Sequence, residues 1–280
     1  MPQSELILEN FIDLDLYPIH ELESKVGKML IDRCHEMMAN ESICVLPGFL
    51  RETALNQLKA ELVDLEPVAR QVDFQTTLYG WMDNSGFVPE HPRSRLLTRR
   101  CGALTTDQLP QKSVSKQLFQ FDELTEFVRQ LLGFETLYRS ACPHISVRAN
   151  VMQQGDEFGW HFDTNDGVVS FIIQNADNGG LFEYAPLIRS ESDENYAGIE
   201  AVLAEQASIT TADLSEGCFS LFLGRRSMHR VSFVEQSEHC RHSLLFSYDQ
   251  QPGMVFSEKI TRRLTEPSSE PFLGQNTSTN

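Results

Sequence analysis

The 280-residue chain is short of positive charge: 23 Lys and Arg stand against 40 Asp and Glu, a formal net charge of −17. A surface of that sign repels phosphate backbones, which argues against nucleic acid as a partner. No apolar run approaches the roughly 18 residues that a membrane span needs, so no membrane partner is expected. Six cysteines are present (Cys34, Cys44, Cys101, Cys142, Cys218 and Cys240), but none forms a CxxC pair, so no dithiol redox signature is visible. The start, Met1-Pro2-Gln3-Ser4-Glu5, lacks the basic and apolar regions of a secretory leader, and the expectation is a cytoplasmic protein with reduced, partly buried thiols. Internal repeats and interior linkers are also missing. The remaining composition, 41% hydrophobic and 22% charged, is that of one globular unit with a sizeable core.

Residues 20–40 place Leu22, Val26, Met29, Leu30 and Met37 at helical spacing. A short apolar strand over 42–50 is stopped by Pro47-Gly48, and a second helix is expected over 51–64 through Leu55, Leu58 and Leu62. The stretch 75–112 reads as irregular, with Pro89, Pro92, Pro110 and the basic cluster Arg93, Arg95, Arg99 and Arg100. A third helix, 122–132, ends at Gly133, suited to a left-handed cap. From 136 onward the period changes to that of strands, at 144–152, 168–174, 181–184, 218–223, 229–234 and 241–248. The acidic segment 190–206 reads as a surface helix or lid, and the Pro-, Ser- and Asn-rich tail as frayed. The fold expectation is an all-β core with flanking helices, an antiparallel sandwich or jelly roll. It forms one domain over 1–265, helical over 1–135 and β-rich over 136–255, with a disordered tail over 266–280.

His161-Phe162-Asp163 carries the chemistry. Side chains two apart on an extended segment point the same way, so His161 and Asp163 can share one metal. A second histidine must come from a distant strand, where His229 falls, and two histidines with one carboxylate can hold one face of Fe(II). Arg241 opens the last strand, Arg241-His242-Ser243-Leu244-Leu245-Phe246-Ser247-Tyr248. Its guanidinium matches a carboxylate bidentately and can grip the distal end of 2-oxoglutarate. The expected cofactors are therefore Fe(II), 2-oxoglutarate and O2. Asn150 either hydrogen-bonds the cosubstrate or caps a turn. His239 and His242 flank Arg241, but His242 points away from it on the same strand and is not expected as an iron ligand.

Several stretches resemble one family: the HxD motif itself, Gly180 through Ser190, Phe222 through Val231, Arg241 through Tyr248, and Pro252-Gly253. They are similar to the BesD-type radical halogenases of free amino acids and their hydroxylase relatives, over about residues 80–255. The resemblance implies a double-stranded β-helix (jelly-roll, cupin-like) core, Fe(II), 2-oxoglutarate and a small-molecule substrate, a free amino acid. Halogenases of this type place a small residue where Asp163 stands, so the carboxylate implies hydroxylation. The lysine-specific members carry an acidic residue and polar pocket groups where this chain has Thr164, Phe158, His144 and Leu245, which implies an amino acid other than lysine. The resemblance also implies an arginine from 91–95 for the substrate carboxylate, Arg93 first, with Arg95 or Arg99 as alternatives.

Trp160, Thr164, Asn165 and Ser247 are further candidates for the substrate pocket, against the plain readings of core packing and turn formation. Glu183 reads as a paired carboxylate at the core edge before it reads as a partner for a substrate amine. Desaturation, ring closure or action on a carrier-bound or peptidyl residue use the same iron chemistry, and a jelly-roll binding protein without turnover is the non-enzyme alternative. A homodimer through the N-terminal helices stays open.

Overall fold

The computed structural model describes residues 7–80, 82–164 and 168–266. Its strands are β1 (Ile43–Leu46), β2 (Arg70–Thr77), β3 (Leu96–Leu104), β4 (Tyr138–Arg139), β5 (Val147–Met152), β6 (Glu157–His161), β7 (Val168–Gln174), β8 (Phe182–Ala185), β9 (Thr210–Thr211), β10 (Phe219–Phe222), β11 (Met228–Val231), β12 (Arg241–Phe246) and β13 (Tyr248–Asp249). The helices are α1 (Lys25–Glu41), α2 (Glu52–Leu65), α3 (Val114–Phe119), α4 (Asp122–Leu132), α5 (Tyr196–Leu203) and α6 (Glu258–Thr265).

One antiparallel sheet runs β1-β10-β7-β12-β5-β3-β6-β11-β8-β9, with β2 beside β3, and curls into a half-barrel, the jelly-roll architecture. β4 and β13 form a separate two-stranded ribbon. The alternation of β5 shows how the sheet divides its two faces. Val147, Ala149 and Val151 join the main core with Leu30, Leu58, Leu62, Phe127 and Leu131 of the helices. Arg148, Asn150 and Met152 must then point to the concave side. Antiparallel register places Leu245 opposite Arg148, Ser243 opposite Asn150 and Arg241 opposite Met152. The same strand therefore gives Leu244 and Phe246 to the helix-packed core and Arg241 to the concavity.

Helix boundaries follow from local chemistry. Ser24 caps α1 by accepting from the Gly27 amide at 3.1 Å. α4 ends at Gly133, in the left-handed region at φ 64°, with the Phe134 amide returning to the Arg129 carbonyl.

The N-terminal half is less purely helical than its sequence suggests. β2 runs into the start of the stretch read as irregular and β3 lies within it, and β3 takes a place in the middle of the sheet, between β5 and β6. Its pattern is obscured because Arg99 alternates in phase with Cys101 and Ala103 on the concave face. Pro92 falls in a 3-10 turn outside both strands. All six cysteines are free, five of them buried. No described helix is long and apolar enough to cross a membrane. The tail beyond 266 lies outside the described residues.

Candidate active site

His161 ends β6 and pairs in register with His229 of β11. The intervening ladder is irregular, so that two residues of β11 face three of β6. This bulge turns both Phe158 and His161 to the same side, where their rings stack at 4.0 Å with planes 2° apart. Beyond the strand, the Phe162 amide donates to the Leu78 carbonyl and the Asp163 amide to the Gly224 carbonyl, both at 3.0 Å. These two bonds hold the segment extended, so Asp163 falls back toward His161.

The three side chains converge. His161 Nε2 lies 3.9 Å from Asp163 Oδ1, and His229 Nε2 lies 3.5 Å from Asp163 Oδ2. Each residue offers one donor atom within 4.8 Å of the others, spacing that a single metal ion can bridge. Both histidines are held the same way: Nδ1 meets the carbonyl two residues back, Gly159 or Ser227, at 3.0 Å. With the proton kept on Nδ1, the Nε2 lone pair of each ring is left for a metal. Burial and the neighbouring His229 push His161 well below its ordinary pKa, so the ring is neutral, as a ligand must be. Gly224 completes the notch. A Cβ built there would lie 1.9 Å from Asp163 Oδ2, so any side chain would displace the carboxylate. Phe182 and Phe222 stand against His229, with ring centroids 5.6 and 4.8 Å away.

Three arginines on the concave face have no carboxylate partner among the described residues. Arg241 is buried, its Nε makes no hydrogen bond, and desolvation pulls its pKa down to about 10. Its chain passes Gly180, where a Cβ would stand 3.0 Å from Arg241 Cδ. Arg99 lies over Phe158 at 3.9 Å, with Nε and Nη2 buried and unbonded. Arg148 is pulled down to about 10 by burial and by Arg99, against the opposing charge of Asp163. Asn150 Oδ1 is likewise buried without a partner. Leaving buried cations and polar atoms unsatisfied costs stability, and a bound anion is what satisfies such a group.

Most of the other described candidates are engaged by partners within the protein. Arg93 is occupied: its Nε donates to Asn84 Oδ1 and an Nη to the Asp83 carbonyl, while Tyr79 and Phe87 flank the guanidinium. Arg95 pairs with Glu200 and Arg100 with Asp73. Trp160 packs with Leu78, Tyr79, Phe162, Ile199 and Val202, under Arg230, on the face of β6 opposite His161. That is a core position, because adjacent residues of a strand point apart. Glu183 binds Arg230 at 2.6 Å on that same outer face. Ser247 donates to the Ile145 carbonyl, Thr164 is exposed, and Asn165 lies outside the described residues. His144 pairs with Asp107 at 3.1 Å.

Arg148 and Gly224 escaped the sequence reading. The signal for Arg148 was available: in Val147-Arg148-Ala149-Asn150-Val151-Met152 the polar residues recur at period two in a strand otherwise apolar, which marks one functional face. Gly224 has no local signature, since its role depends on a carboxylate 61 residues earlier.

A family model described as HalD, Halogenase D, matches residues 26–262. No curated protein matches the sequence. Among solved structures, the chain is similar to the non-heme alpha ketoglutarate dependent epimerase SnoN from nogalamycin biosynthesis, at 12% identity over 80% of this chain and 84% of that one, TM-score 0.54. AviO1 from Streptomyces viridochromogenes Tue57 gives 14% identity, 80% and 96% coverage and TM-score 0.54. An oxidoreductase of the 2OG-Fe(II) oxygenase family from Burkholderia pseudomallei gives 14%, 80% and 92%, TM-score 0.51. At such identities the likeness is one of fold, and the fold is that of the 2-oxoglutarate–Fe(II) oxygenases.

Proposed function

Because this chain belongs to the Halogenase D family, whose model spans residues 26–262, and carries a carboxylate in its metal cluster, we propose that it is a hydroxylase. It is an Fe(II)- and 2-oxoglutarate-dependent dioxygenase acting on a free L-amino acid. The observation that carries this reading is the meeting, on one concave face, of a two-histidine, one-carboxylate cluster with arginines, Arg99 and Arg241 among them, that have no carboxylate partner among the described residues. The donor set is the one that suits Fe(II) with open coordination positions.

Iron bound here with 2-oxoglutarate would supply the oxidant, with O2 giving one oxygen atom to succinate, alongside CO2, and the other to a substrate C–H bond as hydroxyl. The chain's own residues bind and orient. His161, Asp163 and His229 hold the metal, and the Gly159 and Ser227 carbonyls keep their imidazoles in the ligating tautomer. Arg241 would hold the distal carboxylate of 2-oxoglutarate, with Asn150 on the neighbouring strand β5. Arg99 and Arg148 are then free for the α-carboxylate of the substrate, a role for which Arg93, already spent on Asn84 and Asp83, is less suited. The surplus of cations favours a substrate whose side chain is neutral or acidic and works against lysine. Phe158, Phe182 and Phe222 line the histidines and keep water from them.

The family description favours halogenation as the second reading. Against it, the Asp163 carboxylate is seated in the Gly224 notch between the two histidines, where a halide would need an open position.

The test is anaerobic reconstitution with Fe(II) and 2-oxoglutarate, then exposure to air with each proteinogenic amino acid in turn, read by mass spectrometry. One amino acid gaining a single oxygen atom, with matching succinate, is the expected result. Iron and 2-oxoglutarate binding with no product from any free amino acid would overturn the substrate class.

A further inference from the structure

A second cluster of metal-binding side chains lies on the other face of β12. Cys240 and His242 flank Arg241, and strand alternation sends them together to the side away from the concavity. Glu66, in the 3-10 turn that follows α2, reaches the same point. The thiol, the imidazole and the carboxylate each offer a donor atom within 4.8 Å of the others. Cys240-x-His242 thus repeats, with a softer donor set, the spacing logic of His161-x-Asp163.

The detailed geometry points to a cation more than to an ordinary ion pair. His242 is fully buried, and its Nε2 lies 2.8 Å from Glu66 Oε1, yet neither ring nitrogen makes a hydrogen bond. An imidazole buried with both nitrogens unbonded is costly, and a metal on Nε2 would remove half that cost. Cys240 is the one cysteine of the six that is not fully buried. Without a metal its thiol is held protonated, pushed up to about 11 by burial and by Glu66. An ion would convert it to thiolate and release the proton to solvent. A cleft of about 230 Å³ opens onto Glu66 and Cys240, lined also by Gln71 and Gln153. It gives an entry path and room for a water as fourth ligand.

We propose that Glu66, Cys240 and His242 form a second divalent-cation site, separate from the iron centre, that takes a thiophilic ion such as zinc with one water. Three protein ligands of N, O and S type with an open fourth position suit tetrahedral zinc. The ion would tie the end of α2 to β12, back to back with Arg241. This inference does not depend on the oxygenase reading.

Cobalt(II) is the probe, added anaerobically to the metal-free full chain, because a thiolate ligand gives it a near-ultraviolet charge-transfer band that the histidine–aspartate centre cannot give. The wild type should bind two equivalents and show the band. Cys240→Ser should lose the band and one equivalent. Asp163→Ala should keep the band while the other equivalent weakens. Glu66→Gln, at a partly exposed side chain, should keep the fold by circular dichroism and bind the thiolate-linked ion more weakly. A wild type that binds a single equivalent without the band, or a band that survives in Cys240→Ser, would overturn the site.

Discussion

The two faces of β5 and β12 are made by the same strands and obey opposite rules. On the helix-packed face, Val147, Ala149, Val151, Leu244 and Phe246 are buried against apolar neighbours, with Phe171 and Phe246 at 5.2 Å. On the concave face, Asn150 and Arg241 are buried with hydrogen-bonding capacity unmet, and the half-buried Arg148 stands beside them with its pKa pulled down by desolvation. One face stores stability and the other spends it, so substitutions on the two should separate folding from binding.

The largest effect is expected at the metal cluster. Asp163→Gly should abolish hydroxylation, a loss beyond the roughly 10–100-fold that outer-shell changes around a metal cause. Circular dichroism should stay unchanged, and added chloride is then the natural occupant of the vacated position. Normal turnover in this variant would break the assignment of Asp163. Next is Arg241→Met. Removing one partner of a buried charge pair costs about 2–5 kcal/mol of binding, here read as the affinity for 2-oxoglutarate. Without ligand the same variant should melt no lower than wild type, because an unpaired buried cation has been removed. On the opposite face, Leu244→Ala should cost about 2–5 kcal/mol of unfolding free energy while leaving the KM for 2-oxoglutarate unchanged in the folded enzyme. If Arg241→Met and Leu244→Ala behaved alike in both assays, the contrast between the faces would fail.

Gly224→Ala sharpens the comparison from the backbone side. A methyl group 1.9 Å from the Asp163 carboxylate must move it, so iron affinity should fall while the helix-packed face is undisturbed. Calorimetric titration with Fe(II) under argon would measure the shift.

The smallest effect is a pH signature at Asp156, in the turn that leads into β6. Burial raises its pKa to about 6 from an ordinary 3.8, and the Gln153 amide bonded to it opposes that only in part. The folded state therefore holds this proton more tightly than the unfolded one. Its contribution is most favourable below about 4 and is lost as pH rises toward 6. Relative to Asp156→Asn, the wild type should lose thermal stability across that window. A difference between the two proteins that stays constant from pH 4 to 7 would contradict it.

Much of this architecture was legible in the sequence because it rests on periodicity. Val168–Gln174 and Asp122–Leu132 are where the hydrophobic pattern places them, and His161, Asp163, His229 and Arg241 follow from strand spacing. What was not legible depends on long-range pairing. β3 hides because its inward residues include Arg99, whose company becomes visible only when β6 brings Phe158 beneath it. Arg93 looks as available as Arg99 in one dimension, and only the fold commits it to Asn84. Trp160 sits one residue from a metal-cluster histidine, yet the pleat turns it into the core under α5.

The central claim is that an intact Asp163 makes this Halogenase D family member insert oxygen. The most direct measurement is the product mass spectrum of wild-type enzyme turned over on its amino acid in saturating chloride, with 18O-labelled O2. The account predicts one labelled oxygen in the product, one in succinate and no chlorine isotope pattern. A chlorinated product from the wild type would contradict it.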